Sequence, residues 1–144
     1  MLYSKNNQIE EAIKIYQEAL KYSVENSTIN TILGLLYLRS NKNMEAFQAL
    51  GNSLAIDPKN PKTLIAVGSI MLDMGDCDGA WIKFKISAFH DQNSPHLWNN
   101  LGMCLFSMKK FVASISCLKR ALYLDPFEWI ISFNLGLVHL NCQQ

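Results

Sequence analysis

Charge is scarce in this chain: 17% of its 144 residues are charged, and the formal net charge is +1, against about a quarter in a typical soluble domain. There is no basic stripe. Lys109-Lys110 and Lys119-Arg120 are isolated pairs, which read as solvated helix ends or faces, so nucleic acid is not an expected partner. The four cysteines, Cys77, Cys104, Cys117 and Cys142, form no CxxC pair and have no histidine at zinc-finger spacing. A disulfide framework or structural zinc site is therefore not read here, and packed free thiols in a reducing, intracellular setting are expected. Met1 to Glu10 has neither a basic leader nor an apolar signal core, and no apolar run approaches the roughly 18 residues of a membrane span. No Gly-rich phosphate loop, Ser-His-Asp set or paired-carboxylate site can be assembled, so neither catalysis nor a cofactor or metal is expected.

What is present is a period. Gly34, Gly68, Gly102 and Gly136 stand 34 residues apart, each inside a stretch that otherwise reads as helix. A mid-helix glycine costs about 1 kcal/mol relative to alanine, so the recurrence implies that another helix comes close at that point. Other columns keep the same step. Leu33, Val67, Leu101 and Leu135 precede the glycines; Ala12, Ala46, Ala80 and Ser114 are small; Tyr16, Leu50, Phe84 and Leu118 are large; Ala19, Ser53, Ser87 and Ala121 are small again. Tyr3, Tyr37, Met71, Leu105 and His139 form a mostly bulky column, in which His139 is expected as a packed core residue. Small residues on one helix facing glycine on another let two axes approach, and the large residue fills the space beside them.

The punctuation predicts pairs of helices. Asn60-Pro61 and Ser94-Pro95 each combine an N-cap residue with proline at the first helical position. Asp57-Pro58 and Asp125-Pro126 mark stops. Polar breaks at Asn41 to Asn43, Gly75-Asp76 and Lys109-Lys110 separate the helices within a pair. The reading is a stub helix ending near Lys5, a helix over 8–24, pairs at 27–40 with 44–56, 61–74 with 77–90 and 95–108 with 111–124, and a last helix over 128–141. This gives one array over 1–144, with a half repeat 1–26, full repeats 27–60, 61–94 and 95–128, and a half repeat 129–144. Trp129, Ile130, Ile131, Phe133 and Leu137 would leave a broad apolar surface open on the last helix. A fragment of a longer array, with ends able to self-associate, is therefore expected.

The columns of Leu, Gly, Tyr, Ala, aromatic or Leu, Ala and Pro resemble the tetratricopeptide repeat. The match is best over 95–126, where Trp98, Leu101, Gly102, Leu118, Ala121 and Pro126 fit, while Leu105 and Ser114 depart from its Tyr and Ala. The resemblance implies an all-α helical-hairpin solenoid of 34-residue repeats wound as a right-handed superhelix. The longer strings PHLWNNLGMCLF at 95–106, SISCLKRALYLDPF at 114–127 and FNLGLVHL at 133–140 are similar to a Bardet–Biedl syndrome protein family, subunits of the ciliary BBSome. That implies a non-enzymatic adaptor in ciliary membrane-protein trafficking and cilium assembly. Its implied partners are other BBSome components and centriolar-satellite or motor-adaptor proteins, at the cilium, basal body and centrosome.

In tetratricopeptide arrays the first helices of each pair line the concave groove. The resemblance makes Thr31, Leu35, Lys62, Ser69, His96, Asn99, Asn100, Met103, Phe133, Asn134 and Leu137 the partner-groove candidates. Asn100 and Asn134 share a column that could bond an extended peptide backbone, although Ile32 and Ala66 interrupt it. A similar asparagine column occurs in the repeats of O-linked N-acetylglucosamine transferase, so the repeat domain of such an enzyme is an alternative. A peptide-binding co-chaperone is a further alternative. It is disfavoured because the first helices offer only Lys62 and, at a helix end, Arg39 to hold paired carboxylates. Cys104 and Cys117, on paired helices, could lie near each other, but in a reducing compartment they are expected simply to pack.

Overall fold

The computed structural model describes residues 2–23 and 25–143, with side chains from residue 7 onward. The described residues form eight α-helices and no strand: α1 Leu2–Tyr22, α2 Ser27–Arg39, α3 Asn43–Ile56, α4 Pro61–Asp73, α5 Cys77–His90, α6 Pro95–Ser107, α7 Phe111–Leu124 and α8 Trp129–Cys142. From α2 onward every boundary falls within one residue of the position read from the sequence. The exception is the start, where α1 runs unbroken through the expected stub end at Lys5. Lys5-Asn6-Asn7 contains no proline or glycine to stop it. The Tyr3 side chain and Val24, the expected end of that helix, lie outside the described residues.

The helix starts follow side-chain chemistry. Asn26 Oδ1 accepts from the Ile29 amide at 3.1 Å, Asp76 Oδ1 from Gly79 at 3.0 Å, and Ser94 Oγ from Leu97 at 3.3 Å with Pro95 next to it. Asn60 Oδ1 accepts from Lys62 at 3.1 Å and Thr63 at 3.4 Å. These bonds satisfy amides that have no partner inside the helix. Lys42 and Lys110, at the starts of α3 and α7, supply no such bond.

The helix ends repeat as well. Asn41, Gly75 and Lys109 are the described residues with left-handed backbones, with φ of 60°, 86° and 62°. In each turn the next amide bonds back five residues, Lys42 to Tyr37, Asp76 to Met71 and Lys110 to Leu105, all at 2.9 Å. This is the Schellman closure of a helix C-terminus, which needs one left-handed residue. Asp57, Asp91 and Asp125 end the second helices, their amides bonding Ser53, Ser87 and Ala121 carbonyls at 2.8, 2.8 and 2.9 Å. Pro58 and Pro126 follow two of them and bar continuation.

The chain divides into two compact units, Met1–Val67 and Gly68–Gln144. In the first, Gly34 faces α3: a Cβ there would stand 2.5 Å from Leu50 Cγ. Ala46, Leu50 and Ser53 are fully buried on that face of α3, as the spacing requires. Beside them lies a polar knot. Thr31 Oγ1 is 2.6 Å from Ser53 Oγ and 2.9 Å from Thr63 Oγ1, and it donates to the Ser27 carbonyl at 2.9 Å. Thr31 is thus buried among hydroxyls, not presented to a groove as expected.

In the second unit a Cβ on Gly68 would meet Phe84 Cε1 at 2.5 Å, and one on Gly102 would meet Leu118 Cγ at 2.7 Å. Ser114 Oγ donates to the Gly102 carbonyl at 2.6 Å, so this small column position also tethers its pair. Gly136 departs from the rule, because a Cβ there meets nothing within 4 Å. His139 is likewise exposed rather than packed. In α6 the matching Leu105 is buried and in α4 Met71 is half-buried with its tip near Gly79 of α5, whereas no described helix follows α8. Ile131 is buried, contrary to its expected place on an open face, while Trp129, Ile130 and Phe133 are exposed.

Candidate functional site

The first helices of the second unit bring the groove candidates together on α6 and α8. Their one direct side-chain link is Asn134 Nδ2 donating to Asn99 Oδ1 at 3.0 Å. Asn134 therefore bonds the neighbouring helix and does not extend a column with Asn100. One turn before Asn99, His96 is exposed; one turn after it, Met103 is half-buried. Phe133 is 62% exposed and meets the Trp129 ring edge-on with centroids 6.4 Å apart. Asn100 and Leu137 are half-buried.

At the α6 start and the α7–α8 turn lies a cavity of ≈ 110 Å³, lined by Pro95, His96, Asn99, Asp125, Glu128, Ile130 and Ile131. Its charged groups are carboxylates, and no Lys or Arg lines it. The surface can offer amide hydrogen bonds, an aromatic edge and negative charge to an extended chain. Of the remaining candidates, Lys62 is exposed on α4, and Ser69 and Leu35 are half-buried. Lys62 is alone as a cation among the first-helix candidates, which leaves carboxylate-clamp chemistry without a second arm.

Two interactions hold the Trp98 ring of α6. Trp98 Nε1 donates to the Gln92 carbonyl at 2.8 Å, and the Arg120 guanidinium lies 4.5 Å from the Trp98 ring centre. Cys104 does not pair with Cys117. Its thiol donates to the Cys77 carbonyl at 3.1 Å, and burial, with the neighbouring Cys77 and Asp78 adding to it, pushes its pKa to about 11. Burial also raises Cys117, partly offset by Arg120, while Cys142 is exposed. Among the described residues no group of three or more His, Cys, Asp or Glu could hold a metal ion, and no buried side-chain polar atom lacks a hydrogen-bond partner.

Sequence reasoning missed the Thr31–Ser53–Thr63 knot and the carboxylates at the mouth of the small cavity. Thr63 did carry a signal, since its column otherwise holds Ile29, Leu97 and Ile131. Asp125 was read only as a helix stop.

Family models described as tetratricopeptide repeat match residues 1–61 and 95–127. The chain is 52% identical over 136 residues to BBSome complex member BBS4 of Bos taurus, covering 94% of this chain and 26% of that protein. It is 40% identical over 128 residues to BBSome complex member bbs-4 of Caenorhabditis elegans, covering 89% of this chain and 28% of that one. It thus spans about a quarter of the length of these relatives. Among solved structures, the APC/C hetero-tetramer Cut9–Hcn1 superposes with a TM-score of 0.88 at 19% identity, over 99% of this chain and 29% of the other. Helix pairs closed by glycine notches at a 34-residue step and the matching family models lead to one assignment: the chain belongs to the tetratricopeptide repeat family.

Proposed function

We propose that this chain is a repeat segment of a BBSome subunit: a non-enzymatic scaffold for protein partners in ciliary membrane-protein trafficking and cilium assembly. The 52% identity to BBS4 over nearly the whole chain carries this reading. Other BBSome components are the first partners, with centriolar-satellite and motor-adaptor proteins next, which places the working protein at the cilium, basal body and centrosome. Within the segment, His96, Asn99, Asn100, Met103, Phe133, Asn134 and Leu137 on α6 and α8 form a partner-facing surface, and Lys62 and Ser69 on α4 are separate further candidates. Their chemistry is hydrogen bonding and apolar contact, with no nucleophile-base pair to support a reaction.

The test is affinity purification of the full-length protein from ciliated cells, as wild type and as a variant carrying Asn99→Ala and Phe133→Ala. Recovery of BBSome subunits with the wild type, and fewer with the variant, is expected. Recovery of glycosyltransferase activity, or of chaperones alone, would overturn the reading. An unchanged subunit set with the double variant would remove the α6–α8 surface from it.

A further inference from the structure

The second helix of each pair leaves the same three columns in solvent. Gln48, Asn52 and Ala55 are exposed on α3, and their counterparts Ser116, Arg120 and Tyr123 are exposed on α7. These residues are polar, small or tipped with a hydroxyl, as an open face requires. α5 departs from both. Its residues in those columns are Ile82, Ile86 and Phe89, and they are 53%, 37% and 82% exposed.

At i, i+4 and i+7 the three side chains adjoin as one stripe, about two turns long. α5 is a mid-chain helix packed on α6, where the Cys104 thiol donates to the Cys77 carbonyl at 3.1 Å. The repeat register itself therefore keeps this face open, and only the residue types are unsuited to water. Contiguous apolar exposure of this kind marks a contact surface.

The charges beside the stripe have an order. Lys85 lies on one flank, and Lys83 and His90 on the other. The Lys85 ammonium stands 4.3 Å from the Trp81 ring centre, which holds the side chain along α5 without cancelling its charge. His90 meets the Phe89 ring edge-on, with centroids 5.3 Å apart. Among the described residues neither lysine pairs with a carboxylate. Acid stands at the two ends, Asp78 one turn before Ile82 and Asp91 just past Phe89.

We infer that the outer face of α5 docks an acidic amphipathic helix of a partner protein. Its apolar stripe covers Ile82, Ile86 and Phe89, and its carboxylates lie along both flanks against Lys83 and Lys85. A straight stripe on a convex helix matches the i, i+3 or i+4, i+7 stripe of a second helix laid beside it. A bilayer is a poorer fit, because Asp78 and Asp91 offset the two lysines and would meet anionic headgroups. A second copy is poorer still, since a twofold pairing of α5 faces sets lysine against lysine. This surface is separate from the α6–α8 candidates and does not rest on the BBSome reading.

Fluorescence anisotropy with the full-length protein tests this. The probe is a labelled helical peptide with leucine at i, i+4 and i+7 and glutamate on both flanks; a control peptide carries lysine in place of every glutamate. The glutamate peptide should bind, and the lysine peptide about tenfold more weakly or not at all. Phe89→Ser changes an exposed side chain and should weaken binding about tenfold, whereas Tyr123→Ser, in the same column of α7, should leave it unchanged. Lys83→Glu with Lys85→Glu, folded by circular dichroism, should reverse the preference and take up the lysine peptide. No binding of the glutamate peptide up to about 300 µM would overturn the inference. So would equal binding of both peptides, indifference to Phe89→Ser, or an equal loss with Tyr123→Ser. Cosedimentation with phosphatidylserine vesicles, or self-association, that Phe89→Ser abolishes would also overturn it, giving the face to a membrane or to a second copy.

Discussion

Phe84 lies flat in the space that a side chain on Gly68 would need, with ring atoms 2.5 to 3.0 Å from the Cβ position. Phe84 is fully buried, so the ring has nowhere to retreat. Gly68→Ala should therefore lose about 1–3 kcal/mol to overpacking, more than the roughly 1 kcal/mol that alanine adds to helix propensity. Gly136→Ala makes the same exchange with no neighbour within 4 Å and should gain about 0.5–1 kcal/mol. Urea unfolding of both variants, at a concentration low enough to hold them monomeric, reads the contrast. Two substitutions of the same sign would refute it.

Thr31 is the hub of the buried hydroxyl knot, and Thr63 reaches that knot through it. Thr31→Val should cost about 1–3 kcal/mol, because it strands a buried hydroxyl on Thr63 and takes one partner from Ser53. Thr63→Val removes an outer member and leaves Thr31 bonded to Ser27 and Ser53, so it should cost less. Double-mutant cycles on the pair should show coupling. Equal, additive losses would mean that the hydroxyls act independently.

The three left-handed turns hold asparagine, glycine and lysine in one role. Lys109→Gly relieves a left-handed backbone and should raise stability by up to about 1 kcal/mol, whereas Gly75→Ala should lower it by about 1–2 kcal/mol. Thermal denaturation distinguishes these directions. A loss for Lys109→Gly would show that flexibility gained in the unfolded chain outweighs the strain removed.

The Cys104 thiol is held protonated in the fold, with its pKa pushed to about 11 from an ordinary 9.0. Between those values the unfolded chain releases a proton that the folded one keeps, so the stabilising contribution is complete below pH 9 and is lost as pH rises through 11. Cys104→Ala should flatten the decline in stability over that window. At pH 8, alkylation should modify the exposed Cys142 well before Cys104. Mass spectrometry of the modified sites settles the order.

Periodicity made most of this fold legible, because the same apolar face, cap and stop recur three times and each copy checks the others. What escaped depends on neighbours more than on pattern. The α1 start was read as two helices because Lys5-Asn6-Asn7 is polar, yet polarity alone does not end a helix. His139 shares a column with the buried Leu105 and the half-buried Tyr37 and Met71, but a column position is covered only where a neighbouring helix lies over it. The Asn134–Asn99 bond joins residues of different columns and follows from the side-chain conformations on two adjacent helices. The hydroxyl knot was half visible: Thr63 broke an apolar column, but its companions Thr31 and Ser53 lie on other helices and were read as a groove residue and a small spacer.

The hydroxyl knot also bears on modular exchange. The helix pairs share a backbone plan, but each joint has its own chemistry: hydroxyls at Thr31, an aromatic ring at Phe84, an amide–amide hydrogen bond at Asn99. Transplanting residues 27–56 into the place of 95–124 would set Thr31 and Ser53 opposite Ile131 where Thr63 now stands, removing their hydroxyl partner. The modules are thus interchangeable in outline and keyed in detail, so shuffled versions of this array should fail at the seams while their individual helices still form.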